Sequence, residues 1–256
     1  MTRSVLITGG ASGIGAAVAR RVVASGGWVC LVDVNGHGVV SLARELGERA
    51  IAAHCDALDE DAFQDTVASA ETRLPPINGL VTCAGIQPRA KRIEDTATDE
   101  FNRLVESHLS GTFISCRVVG SLMASRGAGA IVNLASVLSF RPGPVLGYTT
   151  AKAAVVNLTQ ALAVQWAKRG VRVNAVAPGW TDTPFLQPKD GRPPRDLTPI
   201  LNATPIGRLL QPSEIAEVIY FLLSPAASGV TGATVPVDGG VMAGAGWLPY
   251  GGFPQD

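Results

Sequence analysis

The sequence lacks an excess of charge of either sign. Its 256 residues include 21 basic and 21 acidic side chains, and basic residues cluster no further than the short run RAKR at 89–92. Proteins that bind nucleic acid or an anionic membrane surface present a basic patch or stripe. We therefore expect neither partner, and the composition favours small-molecule chemistry.

Long hydrophobic runs are also missing, although 46% of the residues are hydrophobic. Polar residues or glycines interrupt each apolar stretch well before the ~20 residues that cross a bilayer. Strands buried on both faces of a sheet account for the composition without a membrane. MTRSVLITGG at the start has no apolar leader segment, and the four cysteines, Cys30, Cys55, Cys83 and Cys116, form no C-x-x-C pair. We expect reduced thiols and a cytoplasmic location.

Short β-branched runs alternate with longer helical patterns along the chain, as in a parallel α/β sheet. The predicted strands are 4–8, 28–33, 50–55, 79–84, 130–136, 171–177 and 233–237. The predicted helices are 13–25, 37–46, 59–73, 98–125, 148–168 and 212–223. Seven strands without a low-complexity linker predict one doubly wound Rossmann-type domain over residues 1–256. Its ligand should bind beyond the carboxyl ends of the strands.

Two segments do not follow this alternation of strands and helices. Residues 178–211 form a long connection, which we interpret as a substrate lid. It carries Pro184, Pro188, Pro193, Pro194, Pro199 and Pro205. The tail, residues 241–256, contains Trp247, Leu248, Tyr250 and Phe253. These side chains are too apolar for a freely solvated end, so the tail should dock on its own subunit or on a neighbour.

A glycine-rich turn, TGGASGIG at 8–15, follows the first strand and opens a helix. Gly9, Gly13 and Gly15 suit a tight turn that brings the backbone close to a pyrophosphate at a helix N-terminus. Asp33 ends the next strand, twenty residues beyond Gly13, where a carboxylate binds ribose hydroxyls and repels a 2′-phosphate. Ser12 lies in this turn at a position where a positively charged side chain could have stood. NAD is therefore favoured over NADP, whereas the purely structural alternatives are a flexible turn and a strand-ending aspartate.

Tyr148 and Lys152 lie four positions apart in GYTTAK, at the start of a helical pattern. That spacing puts both side chains on one face of a helix. The structural alternative is an ordinary surface pair, worth a few tenths of a kcal/mol. The chemical alternative is a proton-transfer device.

Taken together, the motifs resemble the compact form of the short-chain dehydrogenase/reductase family, from Val5 to Gly240. The resembling pieces are TGGASGIG, Asp56, TCAG at 82–85, Ser136, YTTAK, PGWTDT at 178–183 and the stretch from PIGR to VDGG at 205–240. The resemblance implies a seven-stranded parallel sheet in the order 3-2-1-4-5-6-7. It also implies hydride transfer between an alcohol carbon and a nicotinamide, and a homotetramer formed through the helices near 98–125 and 148–168.

The resemblance also assigns roles to residues. Tyr148 would move the hydroxyl proton, which requires its pKa to fall by ~3 units from ~10. Lys152 would favour the phenolate and hold the nicotinamide ribose, and Ser136 would orient the substrate oxygen, with Ser139 as a rival. The implied NAD-binding residues are Gly9, Ser12, Gly13, Ile14, Gly15, Asp33, Asp56, Ala57, Ala84, Gly85, Tyr148, Lys152, Pro178, Gly179, Thr181 and Thr183. Asp56 would contact the adenine, although alone it resembles a helix cap, and no metal site is expected.

Two positions depart from the family pattern. Cys83 stands in TCAG where the family commonly has an asparagine that ties strands together, and it should pack there as a small hydrophobe. His108 stands where the family has an asparagine that helps to hold a proton-relay water. A structural substitute that makes one hydrogen bond within the helix is one interpretation. Because imidazole titrates near neutral pH, direct membership of the proton relay is the other.

The expected substrate is a secondary alcohol or its ketone: a sugar, polyol, hydroxy acid, diol or alicyclic compound. Its pocket should be built from Gln87, Pro88, Leu138, Phe140, residues 142–146 and the lid from Trp180 onward. Arg89, Lys91 and Arg92 could meet an acidic substrate but are more typical of a solvated loop. The leading hypothesis is an NAD-dependent dehydrogenase or ketone reductase. The alternatives are a 3-oxoacyl-thioester reductase and a nucleotide-binding regulator without catalysis.

Overall fold

The seven strands of this chain form one parallel sheet. The structure, a computed structural model, describes residues 3–188, 193–247 and 252–253. The strands are β1 Ser4–Thr8, β2 Trp28–Asp33, β3 Ala50–His54, β4 Gly79–Thr82, β5 Gly129–Leu134, β6 Val171–Pro178 and β7 Thr234–Val237. They pair in the order β3-β2-β1-β4-β5-β6-β7, which confirms the predicted topology. The order reverses between β1 and β4, where a doubly wound sheet opens a crevice.

Helices follow the strands on both faces of the sheet. They are α1 Gly13–Ala24, α2 Gly36–Leu46, α3 Glu60–Arg73, α4 Thr98–Val105, α5 Gly111–Ser115, α6 Ser121–Arg126, α7 Leu146–Trp166, α8 Thr198–Asn202, α9 Pro212–Leu223 and α10 Val241–Gly244. Two π-helical segments, Glu106–Ser110 and Cys116–Gly120, join α4, α5 and α6. The helix predicted over 98–125 is therefore one continuous rod with two wide turns. Within the described ranges, no helix is long and apolar enough to cross a membrane.

Both faces of the sheet carry a packed hydrophobic cluster. On one face, Phe63, Met123 and Trp166 bring α3, α6 and α7 against the strands. On the other, Val18 of α1 and Ile215 of α9 pack against alternate residues of the same strands. Because every residue of β1 is buried, its side chains supply both clusters, as expected for a parallel strand. Each fully buried aliphatic side chain contributes about 1.5–3 kcal/mol.

A buried polar network fixes β4, β5 and α7 relative to one another. The Asn133 Oδ1 atom accepts hydrogen bonds from the Thr82 hydroxyl (3.0 Å) and the Cys116 thiol (3.3 Å). Asn133 Nδ2 donates to the Thr159 hydroxyl (3.0 Å), which donates to Val155 O in the same helix. Cys83 does not provide the hydrogen bond between strands that the family's asparagine would make. Thr82, one position earlier, joins β4 to β5 through its hydrogen bond to Asn133. The network holds the strand that leads to Ser136 against the helix that carries Tyr148.

Backbone hydrogen bonds join the two ends of the segment 178–211. Leu210 donates its backbone N–H to Trp180 O (2.9 Å) and accepts from Asp182 N (2.8 Å), so the two ends of the segment are joined. In the tail, the Phe253 ring lies where a side chain on Gly244 would stand, which docks this part of the tail on its own subunit. Trp247 is 53% exposed. Leu248 and Tyr250 lie outside the described residues.

Candidate active site

Ser136 lies at the carboxyl edge of the sheet, two residues beyond β5. The predicted strand end at 136 is wrong, because Ser136 begins the 3₁₀ turn Val137–Ser139 instead. Its Oγ accepts from Leu138 N (3.1 Å), and its side chain lies close enough to the Tyr148 phenol to lower the pKa of that phenol. Ser139 has a different position: its hydroxyl accepts from Ser136 N and donates to Lys152 O (2.8 Å). Of the two rival serines, Ser136 reaches the tyrosine, and Ser139 braces the turn against α7.

Tyr148 and Lys152 share one face of α7, as their spacing predicts. The helix begins at Leu146, two residues earlier than predicted, so Tyr148 lies inside its first turn. The Lys152 Nζ atom is 5.8 Å from the centroid of the Tyr148 ring and donates a hydrogen bond to Leu134 O. Lys152 is only 3% exposed. Burial lowers the pKa of its ammonium to about 8, and the nearby Cys83 opposes this shift weakly.

In the chain by itself, the phenol of Tyr148 has a raised pKa, whereas proton transfer with bound NAD requires a lowered one. Burial raises its pKa, and the hydrogen bond from Ser136 offsets only part of that rise. The physical reason is that desolvation opposes the phenolate while the Lys152 ammonium is engaged by the Leu134 carbonyl. The chain by itself therefore keeps Tyr148 protonated, and a working base needs additional positive charge in the site.

His108 packs against Tyr148 from the π-helical segment. The two rings meet edge to face, with centroids 4.8 Å apart. The His108 Nε2–H group donates to Ile86 O (2.8 Å) in the loop after β4, rather than within the helix. Burial, followed by repulsion from Lys152, lowers its pKa to about 3. The ring is therefore neutral at physiological pH, and its geometry favours the structural interpretation over a relay in which it gains a proton.

The position of the His108 ring also explains why residue 85 is a glycine. A Cβ atom on Gly85 would lie 2.2 Å from His108 Cε1, so only glycine fits beside this ring. The other ring nitrogen, Nδ1, is buried and has no hydrogen-bond partner among the described residues. Because Nε2 carries the proton, Nδ1 is an acceptor that faces the loop predicted to bind the cofactor.

The glycine turn has the conformation that its sequence predicts. Gly9 and Gly13 have positive φ angles of 67° and 54°. A Cβ on Gly9 would stand 2.6 Å from Ala84 N, and one on Gly15 would stand 2.2 Å from Gly9 O. α1 begins at Gly13 with no acidic residue in its first turn, and its N-cap, Ser12, makes no capping hydrogen bond. The N–H groups of this helix end therefore suit an anion such as a pyrophosphate.

The two predicted carboxylates also organise the backbone around them. Asp33 accepts from Ala11 N (3.0 Å) through Oδ2 and from Asn35 N (2.9 Å) through Oδ1, so it ties the glycine turn to the end of β2. Asp56 accepts from Leu58 N (2.9 Å) in a local turn. Each carboxylate oxygen has a second lone pair, so both side chains keep acceptor capacity for ribose hydroxyls or an amine.

The segment that follows β6 contacts the glycine turn. Thr183 lies closest to Gly13, with its Cγ2 atom 3.2 Å from where a Cβ would stand. Gly179 has no room for a side chain, because Asp238 is 2.8 Å from the same position. Thr181 is buried and donates its hydroxyl to Gly179 O (3.1 Å). Groups from both halves of the sheet thus converge, and this donor set fits a dinucleotide.

The cysteines are unreactive in this arrangement. All four lie within the described ranges and carry free thiols. Burial raises the pKa of Cys83 to about 12, with only weak opposition from Lys152. Cys83 therefore stays protonated beside the site and packs as the small hydrophobe that the sequence predicted.

Two lid contacts were not singled out from the sequence. The Gln87 side chain donates to Phe185 O (2.8 Å) and Gln187 O (3.0 Å). These two hydrogen bonds connect the segment 178–211 to the loop after β4. The Phe185 ring stands 6.1 Å from the Tyr148 ring and 6.4 Å from the His108 ring. An aromatic residue directly after PGWTDTP was the available signal, but nothing local specified that it turns toward Tyr148.

Comparisons with known proteins define the family. A family model described as enoyl-(acyl carrier protein) reductase matches residues 9–242. The chain is 43% identical over 239 residues to galactitol 2-dehydrogenase (L-tagatose-forming) of Cereibacter sphaeroides, covering 91% of this chain and 92% of that protein. It is 38% identical over 244 residues to cis-4-hydroxycyclohexanecarboxylate dehydrogenase of Sinomonas cyclohexanicum, covering 94% and 97%.

One relative is considerably longer. An uncharacterized short-chain type dehydrogenase/reductase of Sinorhizobium fredii is 37% identical over 242 residues, which cover 94% of this chain but 44% of that protein. Among solved structures, levodione reductase has a TM-score of 0.88 at 36% identity, covering 94% and 98% of the two chains. A 3-oxoacyl-[acyl-carrier protein] reductase with bound NAD from Brucella melitensis has a TM-score of 0.83 at 34% identity, covering 94% and 91%.

The chain therefore belongs to the short-chain dehydrogenase/reductase family, as its motifs indicated. Its class is that of an oxidoreductase, because the characterised relatives are named dehydrogenases and reductases.

Proposed function

We propose that this protein is an NAD-dependent oxidoreductase that interconverts a secondary alcohol and its ketone, with Tyr148 as the acid and base. The observation that carries the proposal is that the Ser136 and Tyr148 side chains lie next to each other beside the buried Lys152, at the sheet edge that also holds the glycine turn. These groups come from β5, α7 and β1 and converge where a doubly wound sheet binds its ligands.

Each of the three side chains has one task. The hydroxyls of Ser136 and Tyr148 hold the substrate oxygen between them, which orients the carbinol carbon. Bound NAD⁺, which the glycine turn and Asp33 would hold, would supply the hydride acceptor and would add positive charge to the site. Tyr148 as the phenolate accepts the hydroxyl proton, and it returns a proton to the ketone oxygen in the reverse direction. Lys152 is the cation that favours the phenolate, and burial strengthens its field by excluding water.

Asp33 supports NAD over NADP. Its carboxylate is fixed by two backbone N–H groups at the end of β2, so a 2′-phosphate would face a held negative charge. The NAD-bound reductase structure from Brucella melitensis shares the fold at 34% identity and is consistent with this choice. Galactitol and hydroxycyclohexanecarboxylate, named in two relatives, both carry secondary hydroxyls.

A substrate panel tests the proposal directly. Secondary alcohols, polyols and hydroxy acids are incubated with NAD or NADP, and the appearance of the reduced cofactor is followed by absorbance. We expect activity with NAD, and a fall in kcat of about 10²–10⁴-fold for Tyr148→Phe. Tyr220→Phe, on α9, is the matched control and should retain activity. Equal turnover by Tyr148→Phe and wild type would contradict the mechanism.

A 3-oxoacyl-thioester reductase is a second candidate function. The description of the matching family model and the acyl-carrier-protein reductase structures support it. The reverse assay with NADH or NADPH separates the two, because acetoacetyl-CoA would then be reduced with a kcat/KM far above that of any ring or polyol ketone. A protein that binds NAD but turns over none of these compounds would instead be a nucleotide-binding regulator.

We further propose that residues 1–256 form one domain, with 178–211 as its lid, and that four chains assemble through the helices near 98–125, which are α4 to α6, and near 148–168, which is α7. Phe113 and Val164 support the assembly, because these apolar side chains are 46% and 82% exposed. The free thiols support a reducing, cytoplasmic location. Sedimentation of the full chain tests the assembly, and a monomer would contradict it.

A further inference from the structure

A cavity of about 330 Å³ lies beside the loop that follows β4. Its lining residues are Ile86, Gln87, Arg89, Lys91, Glu100, Arg103 and Leu104. Three of them are cationic and one is acidic, although the chain as a whole carries no net formal charge. The cavity is open to solvent on one side, and it brings positive charge together there, with the side chains of Arg89 and Arg103 exposed at its wall. Arg92, which the sequence grouped with these cations, is exposed and does not line it.

The walls of this cavity adjoin the candidate active site. Ile86 accepts the hydrogen bond from the His108 ring, which packs on Tyr148. Gln87 holds the lid through Phe185 O. Leu104 packs against the helix turn of Tyr148, with its Cβ atom 3.0 Å from where a Cβ on Gly147 would stand. A substrate whose carbinol reaches Tyr148 can therefore extend toward the cavity.

The charges of the cavity are only partly neutralised. Lys91 and Glu100 form an ion pair whose side chains are 33% and 19% exposed, so that pair contributes no net charge. Its position is fixed further by the Lys91 N–H group, which donates to Pro144 O (3.1 Å). The Arg103 side chain has no hydrogen bond or ion pair with any residue that the structure describes. Its guanidinium is available to a ligand and presents the planar fork that matches a carboxylate.

We propose that this cavity is an anion subsite, in which Arg103 binds a carboxylate at the end of the substrate remote from its hydroxyl. The substrate class is then a hydroxy acid and its oxo acid, rather than a neutral polyol. This inference rests on the proposed secondary-alcohol dehydrogenase function, and it assigns Arg103 and the Lys91–Glu100 pair a role in specificity, outside the proton-transfer chemistry.

A binding experiment tests the subsite without relying on turnover. The full chain with NADH is titrated calorimetrically with cyclohexanecarboxylate and with the neutral isostere cyclohexanecarboxamide. We expect the carboxylate to bind at least tenfold more tightly, which is the effect of one charge-assisted hydrogen bond. Arg103→Met should abolish that preference, while Arg169→Met, an exposed arginine beyond α7, should keep it. Equal affinity for the acid and the amide in the wild type would overturn the proposal.

Kinetics separate the subsite from the reaction itself. 4-Hydroxycyclohexanecarboxylate and its carboxamide are compared as substrates with NAD. We expect Arg103→Met to raise KM about tenfold for the acid alone, with kcat unchanged and the amide unaffected. If only neutral alcohols are oxidised, the subsite is wrong and the proposed function stands. If no alcohol is oxidised but the carboxylate still binds, the proposed function is wrong.

A phosphate group on a thioester carrier is the other source of an anion. Acetoacetyl-CoA is therefore included as a third substrate, with NADH as the reductant. If Arg103→Met weakens its reduction tenfold and leaves the hydroxy acid unchanged, the cavity receives a carrier phosphate, and the assignment to a hydroxy acid is overturned.

Discussion

Replacement of Lys152 by methionine should change how stability depends on pH. Lys152 is 3% exposed, and burial lowers the pKa of its ammonium from 10.5 to about 8. Between these two values the unfolded chain binds the proton and the folded chain does not. Stability therefore rises with pH across this window, because the unfolded state binds more protons there. Below pH 8 the protein carries a buried charge that opposes folding.

The size of the effect follows from the two pKa values. A shift from 10.5 to about 8 corresponds to a cost of about 3 kcal/mol near pH 7. Linkage predicts that wild type gains about 2 kcal/mol relative to Lys152→Met between about pH 7 and about pH 9.5. Lys152 also influences His108 and Cys83, but their pKa values of about 3 and about 12 lie outside this window, and the contributions of the remaining groups cancel in the comparison.

The assay is urea denaturation of both proteins without cofactor, at several pH values and one protein concentration, since association also contributes to stability. Lys168→Met removes an exposed lysine from the turn after α7 and should show no such trend. A flat difference between wild type and Lys152→Met would refute the reasoning. It would mean that Lys152 is hydrated or that another group neutralises it, and the source of the field on Tyr148 would have to be sought elsewhere.

Three further predictions follow from the site. His108→Asn should leave the pH profile of kcat unchanged, because the imidazole has a pKa of about 3 and an amide can also donate to Ile86 O; a lost acidic limb would contradict this. Asp33→Ser should raise the ratio of kcat/KM with NADP to that with NAD by at least about tenfold, about 1.4 kcal/mol, and an unchanged ratio would refute its proposed role. Val164→Glu should shift sedimentation toward smaller species, while Phe221→Glu, also apolar and exposed but on α9, should not.

Local patterns in the sequence were sufficient for the strands and helices, whereas the strand order was implied by the resemblance to the family. Alternation of β-branched runs with helical periods predicted seven strands and the helices after them, because both signals are contained in short windows of chain. The pair Tyr148 and Lys152 follows from helix spacing in the same way. Element ends were less well predicted, as β5 and α7 illustrate. Ser136 lies outside the strand because its hydroxyl caps the next turn, and no periodicity reports that.

The tertiary structure decided what local patterns leave open. The Ser136 side chain lies beside Tyr148, and that of Ser139 does not. The Ser139 hydroxyl is already hydrogen-bonded to Ser136 N and Lys152 O. Gln87 and Phe185 are joined although they stand 98 positions apart.

The sequence by itself determined the strands and helices, the glycine turn and the tyrosine–lysine pair, since each depends on neighbours within a few residues. Only the tertiary structure decided which serine serves Tyr148, that its phenol is desolvated, and that Arg103 faces a cavity shared with Lys91. These three features depend on contacts between segments that are distant in the sequence. They also depend on whether a side chain finds a hydrogen-bond partner in those segments.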